Sequence, residues 1–224
     1  MASNQYAAAQ QTAGALATNK VLRNTYLLLS MTLLFSGVTA GVSMAMHLPA
    51  PGLILTMVGY FGLLFLTNAL RNSAWGLVSV FALTGFMGLT LGPILNMYVQ
   101  MFSNGSELIL TAFGGTGAIF LGLSGYAVVT RKDFSFLGGM IFVGILVAFL
   151  ASLAAAIFGL PLLSLVVSGA FILLMSGLIL WQTSQIIHGG ETNYIMATVT
   201  LYVALFNLFL SLLQILAALS GQQR

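Results

Sequence analysis

The chain has 224 residues, of which 59% are hydrophobic and only 4% charged, with a formal net charge of +3. Soluble domains are about a quarter charged, so a water-soluble fold is excluded. The few scattered bases form no groove-binding patch for nucleic acid, and the lack of cysteine excludes disulfides and thiolate metal sites.

Residues 1–20 are rich in Ala, Gln, Asn and Thr and lack the apolar core of a signal peptide. They read as a flexible polar cytoplasmic tail ahead of a single membrane domain at 21–224. A spanning helix needs about 20 apolar residues. Seven runs meet that length, at 24–46, 53–70, 75–101, 108–130, 136–158, 162–187 and 194–219. The breaks between them carry turn chemistry, such as Pro49-Ala50-Pro51-Gly52, Arg71-Asn72-Ser73 and Gly189-Gly190. The predicted fold is therefore all-α, a seven-helix bundle in which short connections make neighbours antiparallel.

The charged residues keep to the edges of these runs, as expected when a charge at the bilayer centre costs about 2.5–3.5 kcal/mol. Cytoplasmic loops carry excess Lys and Arg. With the N-terminus inside, Lys20, Arg23, Arg71, Arg131 and Lys132 are cytoplasmic and Arg224 alone is periplasmic. The expected topology is thus N-terminus cytoplasmic and C-terminus periplasmic.

Small residues at Gly37 and Gly41, at Gly88 and Gly92, and at Gly114, Ala118 and Gly122 have the spacing that lets helices approach closely. Pro93 falls inside the third span and should bend it. No ionisable group lies well inside a span, where one would mark an ion path. The polar groups there are amides and hydroxyls. Thr200, Asn207, Ser211 and Gln214 share one face of the last span and should face other helices. With Asn96 and Gln182 they form the candidate polar path: Asn96, Gln182, Asn207 and Gln214. Gly122-Leu123-Ser124-Gly125 with His188 has the elements of a serine intramembrane protease, a hydroxyl with an imidazole two helices on, although His188 in a Gly-Gly turn reads more simply as a cap. Glu191 should cap the last helix. Nothing calls for a cofactor, a metal or a catalytic residue, and the sequence sets no oligomeric state.

Several phrases carry a resemblance to a known family. They are Lys20-Val21-Leu22-Arg23-Asn24-Thr25-Tyr26, Leu91-Gly92-Pro93-Ile94-Leu95-Asn96 and Thr130-Arg131-Lys132-Asp133-Phe134-Ser135. The clearest is Ser184-Gln185-Ile186-Ile187-His188-Gly189-Gly190-Glu191-Thr192-Asn193-Tyr194. The chain from Lys20 onward resembles the Bax inhibitor-1 (transmembrane BAX inhibitor motif) family, in its bacterial YccA-like branch. The resemblance implies a seven-helix inner-membrane bundle, with His188, Gly189, Gly190 and Glu191 in a family-motif loop. Many members have an aspartate pair that latches a calcium leak path. The matching positions here are Gln182, in Trp181-Gln182-Thr183, and Ala204, after Leu201-Tyr202-Val203. Neither titrates or supplies a charged ligand for calcium. The resemblance also implies a partnership with FtsH, the membrane-bound ATP-dependent protease, as a slow substrate and modulator. The expected function is a regulator of FtsH that is not an enzyme. The alternative is an ion leak channel or transporter lacking the aspartates.

Overall fold

A computed structural model describes the backbone from Ala2 to Gly221 and the side chains from Thr18 to Gly221. The described residues form seven helices, α1 (Ala2–Ala45), α2 (Gly52–Leu70), α3 (Trp75–Met101), α4 (Gly105–Thr130), α5 (Leu137–Phe158), α6 (Pro161–Ile187) and α7 (Tyr194–Gly221). All seven are long and apolar enough to cross a membrane, the apolar part of α1 being Thr18–Ala45. Most of the expected tail has side chains outside the described residues; its backbone is helical from Ala2. Later spans match the expected ones to within three residues. The largest offset is at α4, which begins at Gly105 and takes Glu107 into its first turn. A carboxylate there is favoured by the helix dipole, so that charge starts the helix instead of preceding it.

The helix α7 is the hub. It packs against α1, α3, α4 and α6, while α2 packs mainly on α3 and α5 on α6. Tyr202 of α7 is fully buried, and its hydroxyl lies 2.6 Å from Ser36 Oγ of α1 and donates to the Thr84 carbonyl of α3 at 3.3 Å. One phenol thus ties three helices. Around it pack Leu29, Leu83, Met175, Ile179, Leu201 and Leu208.

The small-residue spacings divide. A Cβ on Gly88 would meet the Ser36 carbonyl, and one on Gly92 would meet Ser43 and the Met44 backbone. These glycines set how closely α1 and α3 approach. Ser43 Oγ donates to the Leu89 carbonyl at 2.8 Å across the same crossing. Gly37, Gly41, Gly114 and Gly122, by contrast, have open space beside them, and these four and Ala118 are exposed. The expectation that all three spacings pack the bundle is corrected for those on α1 and α4. Pro93 sits within a helix that continues to Met101.

Candidate functional site

The turns α2–α3, α4–α5 and α6–α7 meet at one end of the bundle and are joined through polar side chains. Asn193, immediately before α7, accepts from the backbone N–H of Ile195 and Met196 at 3.0 and 3.1 Å. That is the N-cap geometry, satisfying amides with no partner inside the helix. Its Nδ2 donates to the Arg71 carbonyl and to Asn72 Oδ1, both at 3.0 Å, so it also ties α7 to the α2–α3 turn. Glu191 does not cap α7 as expected. Its Oε1 accepts from the Asn193 N–H at 2.7 Å and so orients the residue that does.

The end of α6 and the turn after it hold the α4–α5 connection. Ser184 Oγ accepts from the Phe134 N–H at 3.0 Å, and Gln185 Nε2 donates to Ser135 Oγ at 3.1 Å. The ring of His188 lies between two carbonyls, Nδ1 at 2.9 Å from Ser184 O and Nε2 at 3.1 Å from Arg131 O. Gly189 has φ +76, the left-handed conformation that ends α6, and Gly190 N donates to Gln185 O at 2.8 Å. A Cβ on Gly190 would strike the Gln185 side chain. Asp133 accepts from the Ser135 N–H at 2.8 Å, and hydrogen bonds from Ser135 hold its carboxyl below the usual carboxylate range. Arg71, Arg131 and Lys132 all belong to these turns, so the basic residues gather at this end.

The protease-like arrangement does not form. Ser124 is buried with Thr183 Oγ1 at 3.4 Å, whereas the partners of His188 are Ser184 and the Arg131 carbonyl. The two residues therefore serve different contacts, and a hydroxyl without an adjacent base is not an activated nucleophile.

The four amides of the candidate path also serve separate places. Asn96 donates to the Met44 carbonyl at 3.0 Å, at the end of the bundle opposite His188, beside the pocket of His47, Leu48 and Pro93. Gln214 clasps α6, accepting from Ser168 Oγ at 2.7 Å and donating to Ser164 Oγ at 2.6 Å. Asn207 donates to its own helix at the Val203 carbonyl, at 2.9 Å. Gln182 is buried at 2% exposure, and its Nε2 has no hydrogen-bond partner among the described residues.

Ala204 of α7 is fully buried. Among the described residues no three His, Cys, Asp or Glu side chains could hold a metal together. The arrangement suits helix packing and turn clamping.

A cavity of about 470 Å³ lies elsewhere, between α2, α3, α5, α6 and α7. Its walls include Tyr60, Phe61, Phe86, Phe149, Phe206 and Asn207. The sequence pattern did not show it, because each of five helices contributes only a few residues. Asn193 was missed although Asn directly before an apolar run is a start signal for a helix.

Residues 18–221 match the family described as inhibitor of apoptosis-promoting Bax1. The chain is 56% identical over 201 residues to an uncharacterized protein of Pseudomonas aeruginosa, covering 90% of each chain. It is 55% identical over 201 residues to the modulator of FtsH protease YccA of Escherichia coli K12, covering 90% of this chain and 91% of that one. The inner membrane protein YccA of Escherichia coli O6:H1 matches to the same extent, with 55% identity and the same coverage.

Proposed function

The chain belongs to the family of the inhibitor of apoptosis-promoting Bax1, and from that membership we propose that it modulates an FtsH-type membrane protease. It is a multi-pass protein of the inner membrane. The observation that carries the reading is the 55% identity, across nine-tenths of both chains, to a protein named as a modulator of FtsH protease.

The fold supplies a physical rationale. The N-terminal segment and the basic turns lie toward one end, and the positive-inside rule assigns that end to the cytoplasm. A polar segment there, free of charged residues before Lys20, offers an ATP-driven unfoldase a place to grip. Behind it stands a bundle tied at Tyr202, at the Gly88–Gly92 crossing and at Asn193. Extraction of α1 would break its contacts with α3 and α7 together. A client that is engaged and yields slowly occupies the protease and restrains it, so the chain acts by binding and not by catalysis. A conducting role has less support, since the positions that the resemblance matches to aspartates are Gln182 and Ala204, and Asn96 and Asn207 border separate pockets.

The test is the turnover of the chain by purified FtsH in vesicles, with and without residues 2–18. Slow turnover that stops on deletion is expected. An unchanged rate would refute engagement through this segment.

A further inference from the structure

The aromatic cavity opens the question of what fills it. Its walls include Tyr60 and Phe61 on α2, Phe86 on α3, Phe149 on α5, Met175 on α6 and Phe206 on α7. These positions fall in the middle stretches of their helices, so the cavity lies within the hydrocarbon layer. The α2 and α5 helices form its outer edge. Each packs chiefly on a single neighbour, α3 or α6. Across that edge they meet through the rings of Phe61 and Phe149, edge to face with centroids 6.1 Å apart. The side facing lipid is therefore bordered by two rings rather than by packed backbone, and Phe142 and Leu146 beside them are exposed.

We propose that this cavity is a binding site for one acyl chain of a membrane phospholipid, entering from the bilayer between α2 and α5. The inference is independent of the protease reading.

Size, chemistry and depth select this occupant. A cavity of about 470 Å³ falls within the range of about 300–1,000 Å³ typical of small-molecule sites. A helix about 10 Å across with a 5.4 Å pitch fills roughly 400 Å³ per turn, so the space would take only about one turn of a partner helix. That is too little to seat a transmembrane segment.

Water and ions fit poorly. The polar wall groups are few: Thr56, Tyr60, Thr90 and Asn207. Two of these already donate within their own helices, Thr90 to the Met87 carbonyl and Asn207 to the Val203 carbonyl. A water needs two to four polar partners to be held in a buried site, and an ion needs more. The aromatic and aliphatic walls instead match a methylene chain, and the medium outside the Phe61–Phe149 edge is itself hydrocarbon.

Gly59 shapes the site from α2. A Cβ there would run into the Phe86 ring, so Gly59→Ala should drive that ring toward the cavity.

The test uses the full chain reconstituted in vesicles of phosphatidylethanolamine and phosphatidylglycerol. They are doped with a phospholipid carrying a photoactivatable diazirine midway along one acyl chain. After illumination, peptide mapping should find label on Val203 and Phe206, which face the cavity, as well as on the outward Phe65 and Leu173. Val203→Trp and, separately, Gly59→Ala should lose the label on α7 while keeping it on Phe65. Retained label on Phe65 shows each variant is still embedded, and circular dichroism checks that it is folded. Label confined to outward positions of the unaltered chain would overturn the proposal. So would Asn207→Cys reacting with a membrane-impermeant thiol reagent as fast as a loop cysteine, since the cavity would then be filled with water. A crosslink through the cavity to a second copy would overturn it too.

Discussion

The hydrogen bond between Ser36 and Tyr202 provides a quantitative test of the proposed hub. It joins α1 to α7 at 2.6 Å, with both residues buried. Hydrogen bonds between helices of a membrane bundle average about 0.6 kcal/mol and reach about 1.7. The short distance and full burial place this pair in the upper half, at about 1–1.5 kcal/mol. Tyr202→Phe also removes the longer bond to the Thr84 carbonyl. Part of that loss is recovered, because the freed Ser36 hydroxyl can turn to its own helix, as Ser30 does toward Tyr26. The single change should therefore cost about 1–2 kcal/mol.

A double-mutant cycle separates the pair from its surroundings. Unfolding free energies of the native chain, Ser36→Ala, Tyr202→Phe and the double variant should be measured by denaturant titration in micelles. The double variant should be less destabilised than the sum of the singles by about 1 kcal/mol. Additivity within about 0.3 kcal/mol, the scatter of independent sites, would refute the three-helix tie.

Three further predictions concern the buried amide and the turns. Gln182→Leu replaces an unpartnered donor whose burial costs about 1–3 kcal/mol, so denaturant unfolding should show equal or greater stability; a loss above about 1 kcal/mol would mean the amide is bonded. Asn193→Ala should cost about 1–2 kcal/mol and speed hydrogen exchange at Ile195 and Met196, whereas Asn193→Asp should keep the cap and lose only the tie to Arg71 and Asn72. Asp133 has its carboxyl held below the usual range by Ser135. It therefore adds stability to the α4–α5 turn above about pH 4, and this is lost as pH falls through the depressed value. Hydrogen exchange of the Ser135 amide should accelerate in acid beyond its intrinsic change, and Asp133→Asn should abolish that extra step.

The spans were legible because hydrophobic runs and their turn residues are local properties. Trp75–Met101 was read to the residue, and α7 began where Tyr194 follows a Gly-Gly turn. The use of the small-residue faces was not legible. Glycine spacing identifies a face of a helix, but only the fold decides whether a neighbour stands there, as α1 does for Gly88 and none of the described residues does for Gly114. The amides show the same dependence on the fold. Asn96, Gln182, Asn207 and Gln214 share a chemistry, yet their helices place them at different depths and against different partners. The clamp of Ser184, Gln185 and His188 on the α4–α5 turn was not legible either, because its partners lie some 50 residues away in sequence.

The central claim is restraint of the protease, and the most direct measurement is competition. FtsH is reconstituted with a labelled membrane substrate, and degradation of that substrate is followed as this chain is titrated in. The account predicts slowing that grows with the ratio of chain to protease, and that disappears when residues 2–18 are removed. Degradation that proceeds at the same rate with the chain in excess would contradict it.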